Sequence, residues 1–247
     1  MRTLRADLHV HTVLSPCADV EMIPPLIVQC AVERGIEVIA ITDHNAGANI
    51  AAVQSAAVGT DLIVLPGFEL QTLEEVHVLC LFDTLDQSMA FQQIIDRSLP
   101  GLDNNIEFFG EQFIVDPSGE FLGREERLLL TSTTLSLQQA WEQVQGLNGL
   151  LIPAHINRNA FGLLPVLGFL PIDTPLEILE ISAALIPSQA YQRFPQIVGM
   201  PLITNGDAHF LDDIRGLNQV LIERPTTADL RLAFLQRDGR SHQILSH

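Results

Sequence analysis

Two short segments carry polar side chains spaced two residues apart: Asp7-Leu8-His9-Val10-His11 and Asp207-Ala208-His209. On a β-strand, residues i and i+2 project from the same face. His9 and His11 can therefore reach one ion together, with Asp7 on the same face behind them to orient them. A carboxylate and an imidazole two apart, as in Asp207 and His209, suit one ion or two adjacent ones. Each pair also has a plainer reading, as polar residues next to a loop. Thr42-Asp43-His44-Asn45 follows an apolar run. Asp43 and Asn45 are helix N-cap types. His44 has no capping role and reads as a ligand, with Asp43 orienting a neighbouring histidine. Glu69 ends another apolar run, after Pro66-Gly67-Phe68. An ionised carboxylate there is costly unless paired or bound to metal, and it can bridge two ions. His77 heads one apolar run and His155 ends another. A single histidine so placed is more often a satisfied core residue, so these two gain meaning only from the company of the others. Six of the eight histidines (His9, His11, His44, His77, His155, His209) lie at or near predicted strand ends, while His242 and His247 lie in the tail.

The elements that must position these residues alternate. Residues 4–10 read as a strand, with Leu4, Ala6, Leu8 and Val10 on one face and Arg5, Asp7, His9 and His11 on the other. Residues 23–34 read as a helix opened by Pro24 and Pro25 and closed by Gly35. Strands follow at 36–42, 62–68 and 76–82, the last able to pair with the segment before it, and helices at 46–58 and 86–97. Residues about 100–133 break the pattern. They read as an insertion suited to a lid, with a β-hairpin at 113–123 turning on Asp116, Pro117, Ser118 and Gly119. Alternation resumes with a helix at 136–147, strands at 150–154 and 177–182, a helix at 187–198, strands at 201–206 and 218–222, and a helix at 226–237. Such repetition predicts one α/β domain over 1–247 with a parallel sheet, open or closed into a barrel. Sites in such folds form at the carboxyl ends of the strands.

Composition narrows the chemistry. The net charge is −17 over 247 residues, and all thirteen basic residues are arginine. With no lysine, a lysine nucleophile or Schiff base is excluded. The acidity argues against a protein that grips long nucleic acid by its backbone, although bound cations would make a pocket locally positive. Three cysteines give no disulfide framework and fit a reducing compartment. No signal-peptide pattern opens the sequence and no apolar stretch is long enough to span a bilayer. The expectation is a soluble, cytoplasmic protein with no membrane partner.

The segments DLHVHT (7–12), AITDHN (40–45), PGFEL (66–70), EVHVL (75–79), PAHINR (153–158) and TNGDAH (204–209) occur in one order along the chain. In this ordered set the chain resembles the PHP (polymerase and histidinol phosphatase) metallohydrolases, most closely the stand-alone bacterial type. The resemblance implies a distorted, TIM-like (β/α)7 barrel holding two or three divalent ions, zinc, manganese or iron. By matching motif, His9, His11, Glu69 and Asp207 would hold one ion. His44 and His209, with a residue from the loop after the first strand, would hold a second. Glu69, His77 and His155 would hold a third. The loop ligand of the family is commonly His or Asp, whereas here the matching residue is Cys17. Two readings stand. Cys17 binds metal as a thiolate, or it is a small buried residue and Asp19 or water fills the position.

The activity so implied is hydrolysis of a small phosphate ester or short oligonucleotide by a metal-activated water. Arg158 suits phosphate oxygens bidentately, or is a plain surface arginine; Arg193 and Arg215 are further candidates. Two alternatives remain. One is an amidohydrolase-type C–N hydrolase, in which Glu69 would have to bridge because no lysine can be carboxylated. The other is a metal-binding regulatory module whose insertion offers Phe108, Phe109, Phe113 and Phe121 to a partner. Substrate, metal identity and oligomeric state are left open.

Overall fold

A computed structural model describes residues 1–245, so His247 lies outside the described residues. The chain runs β1 (Arg2–Val10), α1 (Pro24–Glu33), β2 (Val38–Ile41), α2 (Ile50–Ala56), β3 (Ile63–Gln71), β4 (His77–Leu81) and α3 (Leu85–Ser98). It continues with α4 (Ile106–Phe109), β5 (Phe113–Val115), β6 (Phe121–Arg124), α5 (Leu137–Gly146), β7 (Leu150–Pro153) and α6 (Leu163–Leu167). The last third holds β8 (Leu179–Glu180), α7 (Pro187–Arg193), β9 (Leu202–Ile203), β10 (Asn218–Ile222), α8 (Thr227–Phe234) and β11 (Ser241–Ile244).

Seven strands form one sheet in the order β11-β10-β1-β2-β3-β4-β7. Only the centre is parallel as expected: β1, β2 and β3 run together, whereas β4 and β10 are antiparallel to their neighbours. Alternation along the strands separates two apolar cores. Leu4, Ala6, Leu8, Val38, Ala40, Leu65, Leu79 and Ile152 pack together on one face. Ile39, Ile41, Val64, Phe68, Val78 and Cys80 pack on the other, against α1, α2 and α3. Burying both faces of the central strands explains their near-continuous apolar runs.

Residues 177–182 and 201–206 shrink to two-residue strands that pair with each other and stand apart from the main sheet. Backbone bonds still link this pair to both ends of the wall. Ile156 N donates to Glu180 O at 2.9 Å, and Ala208 N donates to His9 O at 3.0 Å. The expected helix at 187–198 stops at Arg193 and restarts as a 3₁₀ turn, Pro195–Ile197; Pro195 cannot continue an α-helix. The short helices α4 and α6 and the edge strand β11 were not foreseen.

The expected hairpin is present, with Asp116 Oδ1 accepting from Ser118 N and Glu120 N across its turn. The insertion is docked on the body. Asn49 Nδ2 donates to Phe113 O and its Oδ1 accepts from Val115 N, both at 3.0 Å. Phe113 N donates to Val13 O. Buried Gln112 bonds to the carbonyls of Glu125 and Arg127 and to Leu129 N, tying the insertion to itself.

Candidate metal centre

A β-bulge near the end of β1 aims the first histidines. Asp7 aligns with Ile39 and Val10 with Ile41, so three residues of β1 span two of β2. One extra residue reverses which face the following side chains occupy. Val10 joins the helix-side core with Ile39 and Ile41, and His9 and His11 project on the face of Leu8. The same bulge corrects the reading of Asp7. It does not stand behind the histidines but faces away from them, accepting from the backbone N–H groups of Gly206, Arg215 and Gly216. Asp7 thereby fixes the loop that carries Asp207.

Glu69 lies at the middle of the site, buried on β3. Its Oε2 lies 3.3 Å from His9 Nε2, 3.2 Å from His11 Nε2 and 3.2 Å from His44 Nδ1. Its Oε1 lies 2.8 Å from both His77 Nδ1 and His155 Nε2. Asp207 Oδ1 approaches His9 Nε2 at 3.3 Å and His11 Nε2 at 3.6 Å. His209 stacks on His11 with ring centroids 4.2 Å apart. The six strand-end histidines and both carboxylates named from sequence are thus brought together.

The residues fit a metal ion. Ligands about 2.0–2.1 Å from a tetrahedral zinc lie about 3.3 Å from one another. Among the atoms His9 Nε2, His11 Nε2, Glu69 Oε2 and Asp207 Oδ1, each imidazole nitrogen lies 3.2–3.6 Å from each carboxylate oxygen, close to that spacing, and all four are buried without a well-formed hydrogen bond. Buried polar groups are rarely left so. His11, His44 and His209 form a second compact ligand group, and His44, Glu69 and His77 a third. His44 thus sits between two groups, and His155 reaches the centre through Glu69 Oε1. Cys17 belongs to none of these groups among the described residues. Cys17 lines the pocket over the centre and is exposed, so it is not the small buried residue of the second reading; the protein atoms crowded around its thiol and then Glu69 push its pKa up to about 12. Asp19 does not line that pocket; its carboxylate accepts from Glu21 N in its own turn.

Charge in the centre is strongly coupled. Burial opposes protonation of His9, yet Glu180, Glu69 and Asp207 outweigh it and hold its pKa well above the usual value. Burial likewise opposes His11, but the nearby carboxylates of Asp207 and Glu69 raise it to about 9. Burial alone would raise Glu69, but His77, His9 and His44 hold it well below the carboxylate range. Burial and His11 lower His209 to about 4. This is a nest of negative charge that the histidines, or cations in place of their protons, must balance.

Several groups here escaped sequence reading. Glu180 accepts from His9 Nδ1 at 3.2 Å, from His155 N and from Asn205 Nδ2, both at 2.8 Å. It was only half legible, since the run Leu176–Ile181 holds two carboxylates, Glu177 and Glu180, and nothing in the sequence says which one turns inward. Ser15 stands between Asp43 and His11, donating to Asp43 Oδ1 at 2.7 Å and meeting His11 Nδ1 at 2.9 Å. Asp43 therefore acts on a histidine through Ser15. Nothing in the sequence marks Ser15. Asn45, Asp207, His155 and Phe161 all have positive φ, backbone strain of the kind that gathers at sites.

Arg158 pairs with Asp207 Oδ2 and stands half-exposed in the lining of the pocket. Arg193 lies over the Phe194 ring and Arg215 pairs with Asp213; neither lines that pocket.

No protein-family model and no curated protein sequence matches the chain. Solved structures share its fold. The lesion-specific endonuclease PfuEndoQ from Pyrococcus furiosus aligns with a TM-score of 0.68 at 18% identity, over 98% of this chain and 58% of that one. Endonuclease Q in complex with a 27-mer duplex substrate, an abasic lesion at its active site, gives the same score and identity over 97% and 58%. A protein from Bifidobacterium adolescentis, provisionally assigned as a metal-dependent phosphoesterase, gives 0.54 at 16% identity over 90% and 89%. An amidohydrolase from Chromobacterium violaceum, with sulfate and no metal, gives 0.54 at 17% over 83% and 87%. The chain spans 58% of the length of the endonuclease chains. What these likenesses establish is a mixed α/β, PHP-like fold.

Proposed function

We propose that this protein is a metal-dependent phosphoester hydrolase. The observation that carries the reading is the set of four unpartnered buried ligand atoms clustered at metal-ligand spacing, with Arg158 beside them at the open side. His9, His11, Glu69 and Asp207 would hold one ion. His44 and His209 would hold a second, closed by Cys17, and Glu69, His77 and His155 a third. Zinc, manganese or iron suits this mixed imidazole–carboxylate set. Divalent ions there supply a water of lowered pKa and offset charge on phosphate oxygens.

The chain's own residues do the rest. Asp207 holds the Arg158 guanidinium by one nitrogen, leaving its other N–H groups for two non-bridging phosphate oxygens. Ser15 and Glu180 fix the ring orientations of His11 and His9. The bond formed is between water oxygen and phosphorus, and the bond broken is between phosphorus and the leaving oxygen. One water proton ends on the leaving alcohol and the other stays with the phosphate. The strands β1-β2-β3-β4-β7-β8-β9 read as a distorted (β/α)7 ring, and residues 1–245 as one domain.

The fold shared with an endonuclease whose substrate is a DNA duplex supports phosphodiesters as a substrate class. It also removes any ground in the fold for restricting the substrate to small molecules or short oligonucleotides; that restriction rests on charge alone. The amidohydrolase of similar fold supports C–N hydrolysis as the second reading, with Glu69 bridging. Among the described residues no helix is long and apolar enough to cross a membrane. Three free cysteines are consistent with a reducing compartment.

The test is turnover by protein loaded with Mn²⁺ or Zn²⁺ on phosphomonoesters, oligonucleotides, abasic-site duplexes and a panel of amides. We expect phosphoester hydrolysis that falls by at least ~100-fold in Asp207→Asn, the order expected for loss of a group acting in the transition state. Folded, metal-loaded protein that cleaves only amides, or nothing, would overturn the reading.

A further inference from the structure

The pocket above the metal-ligand cluster has a volume of about 330 Å³, within the range of small-molecule sites. Its walls and its floor differ in kind. The floor is histidine and carboxylate, whereas Phe109, Leu130 and Phe161 form apolar walls and Arg158 is the one cation in the lining.

Each wall residue is held by a bond or stack close to the centre. The Phe161 ring lies flat on His77, centroids 4.4 Å apart and 2° from parallel, and its carbonyl accepts from His77 N. Leu130 sits between two carbonyls, of Leu129 and Thr131, that both accept from Asn45 Nδ2 at 2.8 and 2.9 Å. Asn45 directly follows the ligand His44. Phe109 precedes Gly110, whose positive φ and close approach to the Pro16 carbonyl leave no room for a side chain. That contact sets Phe109 next to the loop bearing Cys17.

Charge around the walls limits what can enter. Residues 100–133 hold seven acidic residues and two arginines. Both arginines are already paired, Arg124 with Glu111 and Arg127 with Asp96 and Glu125. No free cation of the insertion is available for a second phosphate.

We infer that the insertion builds a specificity wall, with Phe109 and Leu130 lining the same pocket as Phe161. It selects a phosphate ester whose leaving group is a flat, uncharged ring attached to a single phosphoryl group. The inference rests on the phosphoester reading for its phosphate, but the ring site stands on the walls alone. Stacking between aromatic faces and exclusion of water supply the preference.

The experiment has two arms. In the first, kcat/KM is measured for phenyl phosphate and for glycerol 2-phosphate with metal-loaded protein. Aryl esters are intrinsically more reactive, so the quantity read is the change in their ratio between variants. Phe109→Ala and Leu130→Ala should each lower the ratio by roughly tenfold or more. Leu122→Ala, exposed on the same insertion and outside the pocket, should leave it unchanged. A ratio is insensitive to partial loss of folded enzyme. In the second arm, calorimetry compares phenylphosphonate with methylphosphonate. The phenyl compound should bind roughly tenfold tighter to the unaltered protein and lose that advantage in Phe109→Ala.

Hydrolysis of both esters with an unchanged ratio and equal phosphonate binding overturns the ring site and leaves the phosphoester reading standing. Tighter phenylphosphonate binding that depends on Phe109, without turnover of either ester, supports the ring site and sinks the phosphoester reading. Neither binding preference nor turnover sinks both.

Discussion

The Ser15 hydroxyl has one proton to donate and two lone pairs with which to accept. It gives the proton to Asp43 and accepts from the His44 backbone N–H and from His11 Nδ1. His11 is thereby held with Nδ1 protonated, so that a metal ion displacing the Nε2 proton would find that lone pair aimed between Glu69 and Asp207. Glu180 does the same for His9. Partners of this type typically tune metal affinity by ~10–100-fold. Ser15→Ala and Glu180→Gln are accordingly expected to weaken metal binding by that factor while the ligand side chains stay in place. Titration against a chelating dye measures it, and unaltered affinity in both variants would remove this role. The candidate ligands were legible because histidines and carboxylates stood out at the ends of apolar runs. Ser15 was not, since a serine in a loop carries no pattern, and Asp7 was misassigned because a bulge leaves no trace in an alternating sequence.

Elements show the same division. The alternation of apolar runs located nearly every strand and helix, because strands buried on both faces must be apolar throughout. It could not give strand direction: β4 and β10 run against their neighbours, and a run of five residues reads alike either way. It also could not show that Asn45 and Asn49, both helix-cap types near the start of α2, spend their side chains on the insertion instead. Asn49 makes no side-chain cap bond. Its amide bridges Thr12, Phe113 and Val115. Asn49→Ala would strand those partners at a cost of about 1–3 kcal/mol each where water cannot replace the amide. The expected outcome is faster amide hydrogen exchange at 113–115 with little change in β2 and β3. A uniform increase across the sheet would show instead that the insertion and the body form a single cooperative unit.

For the molecule as a whole, the centre is a concentration of buried, mutually dependent charge inside a chain of net charge −17. Ions that bind only the folded form stabilise it by mass action, about 4 kcal/mol at a thousandfold excess over Kd. At roughly 2–4 °C per kcal/mol for a domain of this size, chelation should lower Tm by about 8–16 °C, and restoring the metal should recover it. A melting curve indifferent to chelator would argue that these groups balance one another with protons alone. The wall between β8 and β1 gives such losses a particular form. Elsewhere the strands are joined by ladders, which fray one rung at a time. At this seam the backbone bonds are few, Ala208 N to His9 O and His11 N to Ala208 O on one side and Ile156 N to Glu180 O on the other, and one carboxylate, Glu180, adds its grip on His9, the backbone of His155 and Asn205, while Asn205 in turn grips Leu8 N. A clasp of that kind is shut or open with little between. The histidines it holds belong to the centre, so opening of the seam and loss of any bound ion are expected to be one event, with metal exchange slowed or hastened by how often the clasp springs.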